Sequence, residues 1–392
     1  MKEILKPEEV EKEPAGLAAR HGFKIGGAIG EWQMPNEAYK EMIRSHFNSL
    51  TATNELKAYS LLDQSASRLN PDGMPAVNYT KADEILQFAR ENRIAVRGHV
   101  LVWDYDMTDW FFRAGYDSEG EYVDADTMKT RLQYYIEEVI GHFEEKFPGV
   151  IYCWDVVNEA VADGSADFES GDEKHTRKTR DGKRNPFYYN IGKDYVESAF
   201  LYARNAVEKL KVKNPEMDIK LFYNDYNEFH SEKRDAICRL VESINSYAQD
   251  EQGNNRKLCD GVGMQGYIGG FGFQEGCMDP KDIKRIETAI KKYASLGVEV
   301  HITEMAVRNY QPDEAAVEKH ADFYAELFKM LTSINSGAEK PLTCVAIWGL
   351  CDYPNMPENS YGYRMNGPFS GLFDENYKEK SAYHKVCEVL AE

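Results

Sequence analysis

The chain has 392 residues, enough for two or three ordinary domains or for one large α/β barrel with long loops. Its 47 Lys and Arg against 66 Asp and Glu leave a net charge of −19. That argues against nucleic acid and anionic membrane surfaces as partners, since both are held by cationic side chains. Hydrophobic residues make up 42%, enough for a sizeable core, and no apolar run is long enough to span a bilayer.

The first residues contain no apolar stretch leading to a small-residue cleavage site, so no secretory signal is visible and a cytoplasmic location is expected. Residues 1–19 read as a lead-in to the fold, with the acidic segment Glu8–Glu13 as solvated chain. Short runs of β-branched and apolar residues then alternate with stretches of helical period. The expected strands are Phe23–Gly30, Phe47–Asn54, Ile94–Val102, Ile151–Asn158, Lys220–Asn224, Gly261–Tyr267, Val298–Thr303 and Cys344–Leu350. The helical stretches fall near 36–46, 80–92, 126–147, 188–212, 230–249, 280–296, 312–334 and 378–390. In the third of these, Met128, Leu132, Tyr135, Ile136, Val139, Ile140 and Phe143 fall on one face. Eight alternating units predict an α/β fold with a parallel sheet, best closed as a (β/α)8 TIM barrel, with an open doubly wound sheet as the alternative.

No Pro, Gly or Ser linker divides the chain, so residues 1–392 are expected to form a single catalytic domain with long loops at one face. The most polar segment, Gly164–Arg184, reads as a solvated loop after the fourth strand rather than an interdomain hinge, with His175 solvated within it. Seven widely scattered cysteines include no CxxC pair, which predicts reduced, buried thiols and neither disulfides nor a zinc site. Cys153 and Cys344 read as core packing. Gly261, Gly263 and Gly266 match a GxGxxG pattern, but they precede no helix, so dinucleotide binding is not expected.

In a barrel of this kind the chemistry lies at the C-terminal ends of the strands. The polar residues that end the apolar runs are therefore the candidates. Asn158 and Glu159 end the fourth run and Glu304 the seventh. His99 and Trp103 lie on the third, Trp348 on the eighth, Asn54 and Lys57 at the second, and Gln265 and Tyr267 on the sixth. Two carboxyls facing each other across the mouth suit cleavage of a glycosidic bond, where one gives a proton to the leaving oxygen and the other attacks the sugar carbon. Aromatic and amide side chains around them suit the apolar faces and hydroxyl edges of sugars. His301 sits one register off the face of Glu304 and is expected to pack behind the barrel.

The motifs FNSLTATNELK, RGHVLVW, WDVVNEA, NDYN, DGVGMQG, ITE and WGL, followed by GLFDENY, run in this order from about residue 20 to 388. The chain thereby resembles glycoside hydrolase family 10, the endo-1,4-β-xylanase family. That resemblance implies a retaining mechanism without metal or organic cofactor, acting on xylan or its oligosaccharides; the absence of a visible signal adds the expectation of short oligosaccharides inside the cell. It places the acid/base on Glu159 and the nucleophile on Glu304, with the carboxyls about 5–5.5 Å apart as retention requires. Asn158 would hold the 2-hydroxyl; Asn54, Lys57 and Gln265 other hydroxyls; His99 and Trp103 would line the reacting sugar, and Trp348 would cover it.

The sequence departs from the family at the site. Tyr267 replaces the His that bonds the nucleophile, and Ala306 the Asp that supports that His. Asp104 replaces a His after Trp103, Thr53 a Glu and Ala58 a Trp, while CDYPNMPENS stands where a Ser-Trp usually follows Asp352. A neutral Tyr hydroxyl can still donate to Glu304, but the nucleophile is then tuned differently. The lost Trp predicts room for a substituted xylose or a glucose unit. A related β-glycosidase with a glucose-containing substrate, or a barrel that binds xylo-oligosaccharides without cutting them, are the alternatives. Oligomeric state is left open.

Overall fold

The computed structural model describes residues 16–19, 22–269 and 277–391, so the acidic segment Glu8–Glu13 and most of the lead-in lie outside the described residues. Eight parallel strands alternate with helices: β1 Lys24–Ile29, β2 Ser49–Ala52, β3 Ala95–Gly98, β4 Ile151–Asn158, β5 Lys220–Asp225, β6 Gly261–Met264, β7 Glu299–Val307 and β8 Leu342–Ile347. Each pairs in parallel with the next in sequence, β8 returns to β1, and the circle is complete. The sheet is therefore a closed (β/α)8 barrel, and the open doubly wound alternative is overturned.

The main helices are α1 Glu37–His46, α2 Thr80–Glu91, α3 Ala125–Lys146, α4 Tyr195–Lys213, α5 Ser231–Ser246, α6 Pro280–Ala294, α7 Glu314–Ile334 and α8 Ser381–Ala391. The stretch expected over 188–212 is divided, because a short helix Pro186–Asn190 ends before α4 starts. Sequence chemistry sets the starts. Asp124 accepts from the N–H groups of Asp126 and Thr127 at the head of α3, and Asp279 caps α6 ahead of Pro280. The expected apolar face of α3, from Met128 to Phe143, is buried throughout. Cys153, Cys238, Cys259, Cys277, Cys344 and Cys351 are buried, and Cys387 is half-buried.

The barrel's interior is polar at one level. Arg97 on β3 makes a two-pronged pair with Asp155 on β4 at 2.7 and 3.0 Å, and its Nε donates to His301 Nδ1 at 3.2 Å. β3 and β7 lie opposite each other in the closed order, so this last bond crosses the inside of the barrel. His301 also stacks on Phe222 of β5 at 4.0 Å. The expectation that His301 packs behind the barrel is thus corrected. Strict alternation misplaced it, because β7 shifts register between Ile302 and Met305 and puts His301 and Glu304 on the same side. The GxGxxG glycines lie on β6 and the turn after it and open no helix.

Candidate active site

Asn158 ends β4 and Glu159 follows it. Neighbours on an extended strand face opposite ways, so the two could not both reach the mouth from regular β structure. Glu159 resolves this with φ +56°, a left-handed conformation costly for a residue with a side chain. Three bonds hold it there. Its N–H donates to Asn224 O at 2.9 Å, and its carbonyl accepts from Arg177 Nε at 3.0 Å and from Arg180 Nη2 at 3.2 Å. The shift in β7 brings Thr303 and Glu304 to the same centre: Thr303 Oγ1 donates to Asn224 Oδ1 at 2.7 Å.

Asn224, near the end of β5, links Glu304 to Asn158, whose Nδ2 in turn donates to Glu159 Oε1 at 3.4 Å. Asn224 Nδ2 donates to Asn158 Oδ1 at 3.0 Å and reaches Glu304 Oε1 at 3.4 Å. Gln265 Nε2, just past β6, donates to Glu159 Oε1 at 2.9 Å. The other oxygen of Glu159 takes Trp103 Nε1 at 3.2 Å and Arg180 Nη1 at 2.7 Å. The Tyr267 hydroxyl donates to Glu304 Oε2 at 2.7 Å, and Tyr267 pairs in register with Ala306 on β7. The register partner of Tyr267 is thus a small apolar side chain.

His99 Nδ1 shares a 2.8 Å hydrogen bond with Asp155, which fixes the ring through the Arg97 pair. At the rim, Lys57 Nζ donates to Asn54 Oδ1 at 3.2 Å, lies 3.5 Å from Asp106, and rides over the Trp103 ring at 5.1 Å. Trp348 follows β8; its backbone N–H donates to Met305 O, next to Glu304, and its side chain is half-buried. Glu159, Glu304, Asn158, Gln265, Tyr267 and Trp103 thus form one bonded cluster, with His99, Lys57 and Asn54 on its flank.

The two carboxyls are tuned in opposite directions. Burial alone would raise Glu159, but the Arg180 guanidinium, the Gln265 bond and the more distant Lys233 and Arg177 charges hold it below its ordinary value. Burial raises Glu304 above its ordinary value, and His99, the Tyr267 bond and Lys57 only partly offset this. The charges around Glu159 thus favour its anion, while burial disfavours the anion at Glu304.

Arg180 is the residue that the sequence concealed. It sits in the charged loop after β4, on a small ladder pairing Thr179–Arg180 with Lys183–Arg184. Its fork also grips Asp104 at 2.7 and 3.1 Å. The loop is thus not simply solvated: Arg177 is buried beneath Glu159, and His175 stacks on Phe168 at 4.0 Å. The available signal was Asp104 itself, an acid directly after Trp103 that needs a cation. Six basic residues between Lys174 and Arg184 compete for that role in the sequence. Asn224 lay within a recognised motif but carried no assigned role. Among the described residues no group of three or more His, Cys, Asp or Glu could hold a metal ion.

A barrel with two buried, mutually linked carboxyls at its mouth has the constellation used for cleaving glycosidic bonds. The family model for glycosyl hydrolase family 10 matches residues 15–389, and the chain belongs to that family. It is 32% identical over 372 residues to endo-1,4-β-xylanase B of Butyrivibrio fibrisolvens, covering 94% of this chain but only 52% of that protein. It is 35% identical to a putative endo-1,4-β-xylanase of Caldicellulosiruptor saccharolyticus, covering 85% of this chain and 96% of the relative. Among solved structures, the Clostridium thermocellum xylanase 10B modules complexed with xylohexaose align at TM-score 0.78 and 29% identity, covering 97% of this chain and 68% of that one. An intracellular xylanase of Thermoanaerobacterium saccharolyticum complexed with xylotriose aligns at TM-score 0.70 and 29% identity, covering 93% and 95%.

Proposed function

We propose that this chain is a retaining endo-1,4-β-xylanase acting as one catalytic domain on xylan-derived oligosaccharides. The observation that carries the reading is the bonded cluster in which Asn158, Gln265 and Asn224 tie Glu159 to Glu304. Glu159 protonates the leaving oxygen while Glu304 attacks the anomeric carbon, giving a glycosyl-enzyme. Glu159, now ionised, takes a proton from the water that releases the sugar and returns to its starting form. Asn158 and Asn224 are set to hold the 2-hydroxyl beside Glu304. His99, fixed by Asp155, and Trp103 line the reacting sugar; Lys57, Asn54 and Gln265 offer donors to its hydroxyls, and Trp348 an apolar face. Similarity to proteins named as xylanases, two of them solved with xylo-oligosaccharides, supports the substrate class.

Incubation with xylotriose to xylohexaose, followed by product analysis, tests this directly. Internal cleavage, with the β-anomer appearing first by NMR, is the expected outcome. Glu304→Gln should abolish hydrolysis while leaving binding intact. Binding without any cleavage by the unmodified chain would instead establish a sugar-binding barrel. Paired rates on aryl xylobioside and aryl cellobioside separate a xylose from a glucose preference. Likeness to an intracellular xylanase supports a cytoplasmic location. Activity found in the culture medium rather than in the cells would overturn that location.

A further inference from the structure

The departure at Asp104 is answered by Arg180, and the two together have a geometry suited to more than anchoring a loop. One guanidinium is shared between two carboxylates: Asp104 takes Nε and Nη2, and Glu159 takes Nη1 at 2.7 Å. The site is shielded, with the Asp104, Arg180 and Glu159 side chains 4%, 14% and 10% exposed. The Tyr105 ring lies 5.8 Å from the guanidinium carbon. Arg180 is always charged, so it cannot follow Glu159 when Glu159 gains a proton. Asp104 can keep the guanidinium paired by itself through its two-pronged contact.

We propose that Arg180 is a positioning residue that shuttles its free prong on and off Glu159 in step with the proton, with Asp104 as its fixed anchor. This rests on Glu159 being the acid/base of the proposed reaction. While Glu159 carries its proton, Arg180 rests on Asp104. When the proton passes to the leaving oxygen, the carboxylate that forms takes Nη1 and is stabilised as the base of the second step. When Glu159 abstracts a proton from the attacking water, whose oxygen bonds to the anomeric carbon as the Glu304 ester breaks, the prong is released again. Arg180 therefore favours the base step at the expense of the acid step.

Other charges also face Glu159. Arg177 lies beneath it in the same loop, Lys233 on α5 and Asp225 on β5 lie behind it, and Glu304 on β7 and Asp106 after β3 lie across the mouth. None of them joins Glu159 to a second carboxylate through one guanidinium, so the Asp104 variant isolates the shuttle from the general field.

The test is a set of pH–rate profiles on the full chain. With xylohexaose, kcat/KM falls on the alkaline side as Glu159 loses its proton. Arg180→Gln should move that limb up by about 1–3 pH units, the usual effect of removing an adjacent opposite charge. With an activated aryl xylobioside, whose leaving group needs no proton, the acid limb of kcat reports the base step and should rise by a similar amount. Asp104→Asn, which leaves Glu159 as the only carboxylate partner, should move both limbs the other way. Arg180→Lys should fall between the unmodified chain and Arg180→Gln. Limbs that stay in place in Arg180→Gln, or that move the same way in both variants, would overturn the shuttle. If the unmodified chain cuts nothing, the proposed function fails instead, so the two failures are distinct. Near-UV circular dichroism of each variant confirms that the profiles compare folded proteins.

Discussion

At Glu304 the shorter hydrogen bond comes from a phenol, and its effect has a definite sign. The Tyr267 hydroxyl bonds the carboxylate and favours its ionised form, against the burial that raises Glu304. Tyr267→Phe should therefore move the acid limb of kcat/KM to higher pH. It should also lower the neutral rate by about 10-fold or more, since a hydrogen bond to a charged group is worth about 1.5–3 kcal/mol. A profile indistinguishable from that of the unmodified chain would show the bond to be idle. The two glutamates were legible in the sequence because polar residues that end apolar strands have few places to go but the mouth of a barrel. Arg180 was not, because nothing in a run of six basic residues says which one the loop turns inward.

At the scale of elements, close backbone approach decides several contacts. Gly98 ends β3 directly against Trp154 of β4, and a β-carbon there would lie 2.3 Å from the indole. Trp154 is fully buried and has no room to retreat. Gly98→Ala should cost about 1–3 kcal/mol or more, read as a lower midpoint in urea unfolding. The displaced ring and strand should also disturb His99, the next residue, so activity should fall together with stability. The strand starts expected from the apolar pattern were close, but the third strand ends at Gly98 instead of Val102 and the seventh runs on to Val307, and neither the register shift in β7 nor the turned backbone at Glu159 was visible. Both are local exits from a period of two, and a hydrophobic pattern read with that period assigns such residues to the wrong face.

The stability of the whole molecule should depend on pH from both sides. Glu228, behind the site, is raised by burial from 4.5 to about 8, and its Oε2 has no partner among the described residues. The folded form keeps this proton at pH values where the unfolded chain has released it. Its stability contribution is therefore complete below about pH 4.5 and is lost as pH rises towards 8. Glu228→Gln should flatten that alkaline decline in urea unfolding measured from pH 5 to 9, with little change at pH 5. On the acid side, buried His320 is lowered from 6.5 to about 3, so the unfolded chain binds its proton first and stability falls as pH drops through that range. Inside the barrel, burial would lower Arg97, but Asp155 holds it well above its ordinary value. Arg97→Met leaves Asp155 buried and without its main counter-charge, and should destabilise the fold by about 3–5 kcal/mol.

The sequence by itself determined the eight alternating units and the glutamates that end the fourth and seventh strands. Those features depend on local periodicity and on residue type, which a chain carries without its partners. Only the tertiary structure decided that the sheet closes, that His301 faces inward across from Arg97, and that Arg180 stands between Asp104 and Glu159. Each of these depends on which distant segments meet. A guanidinium in a charged loop has many possible carboxylates, and only the closed barrel brings two of them within reach of one fork.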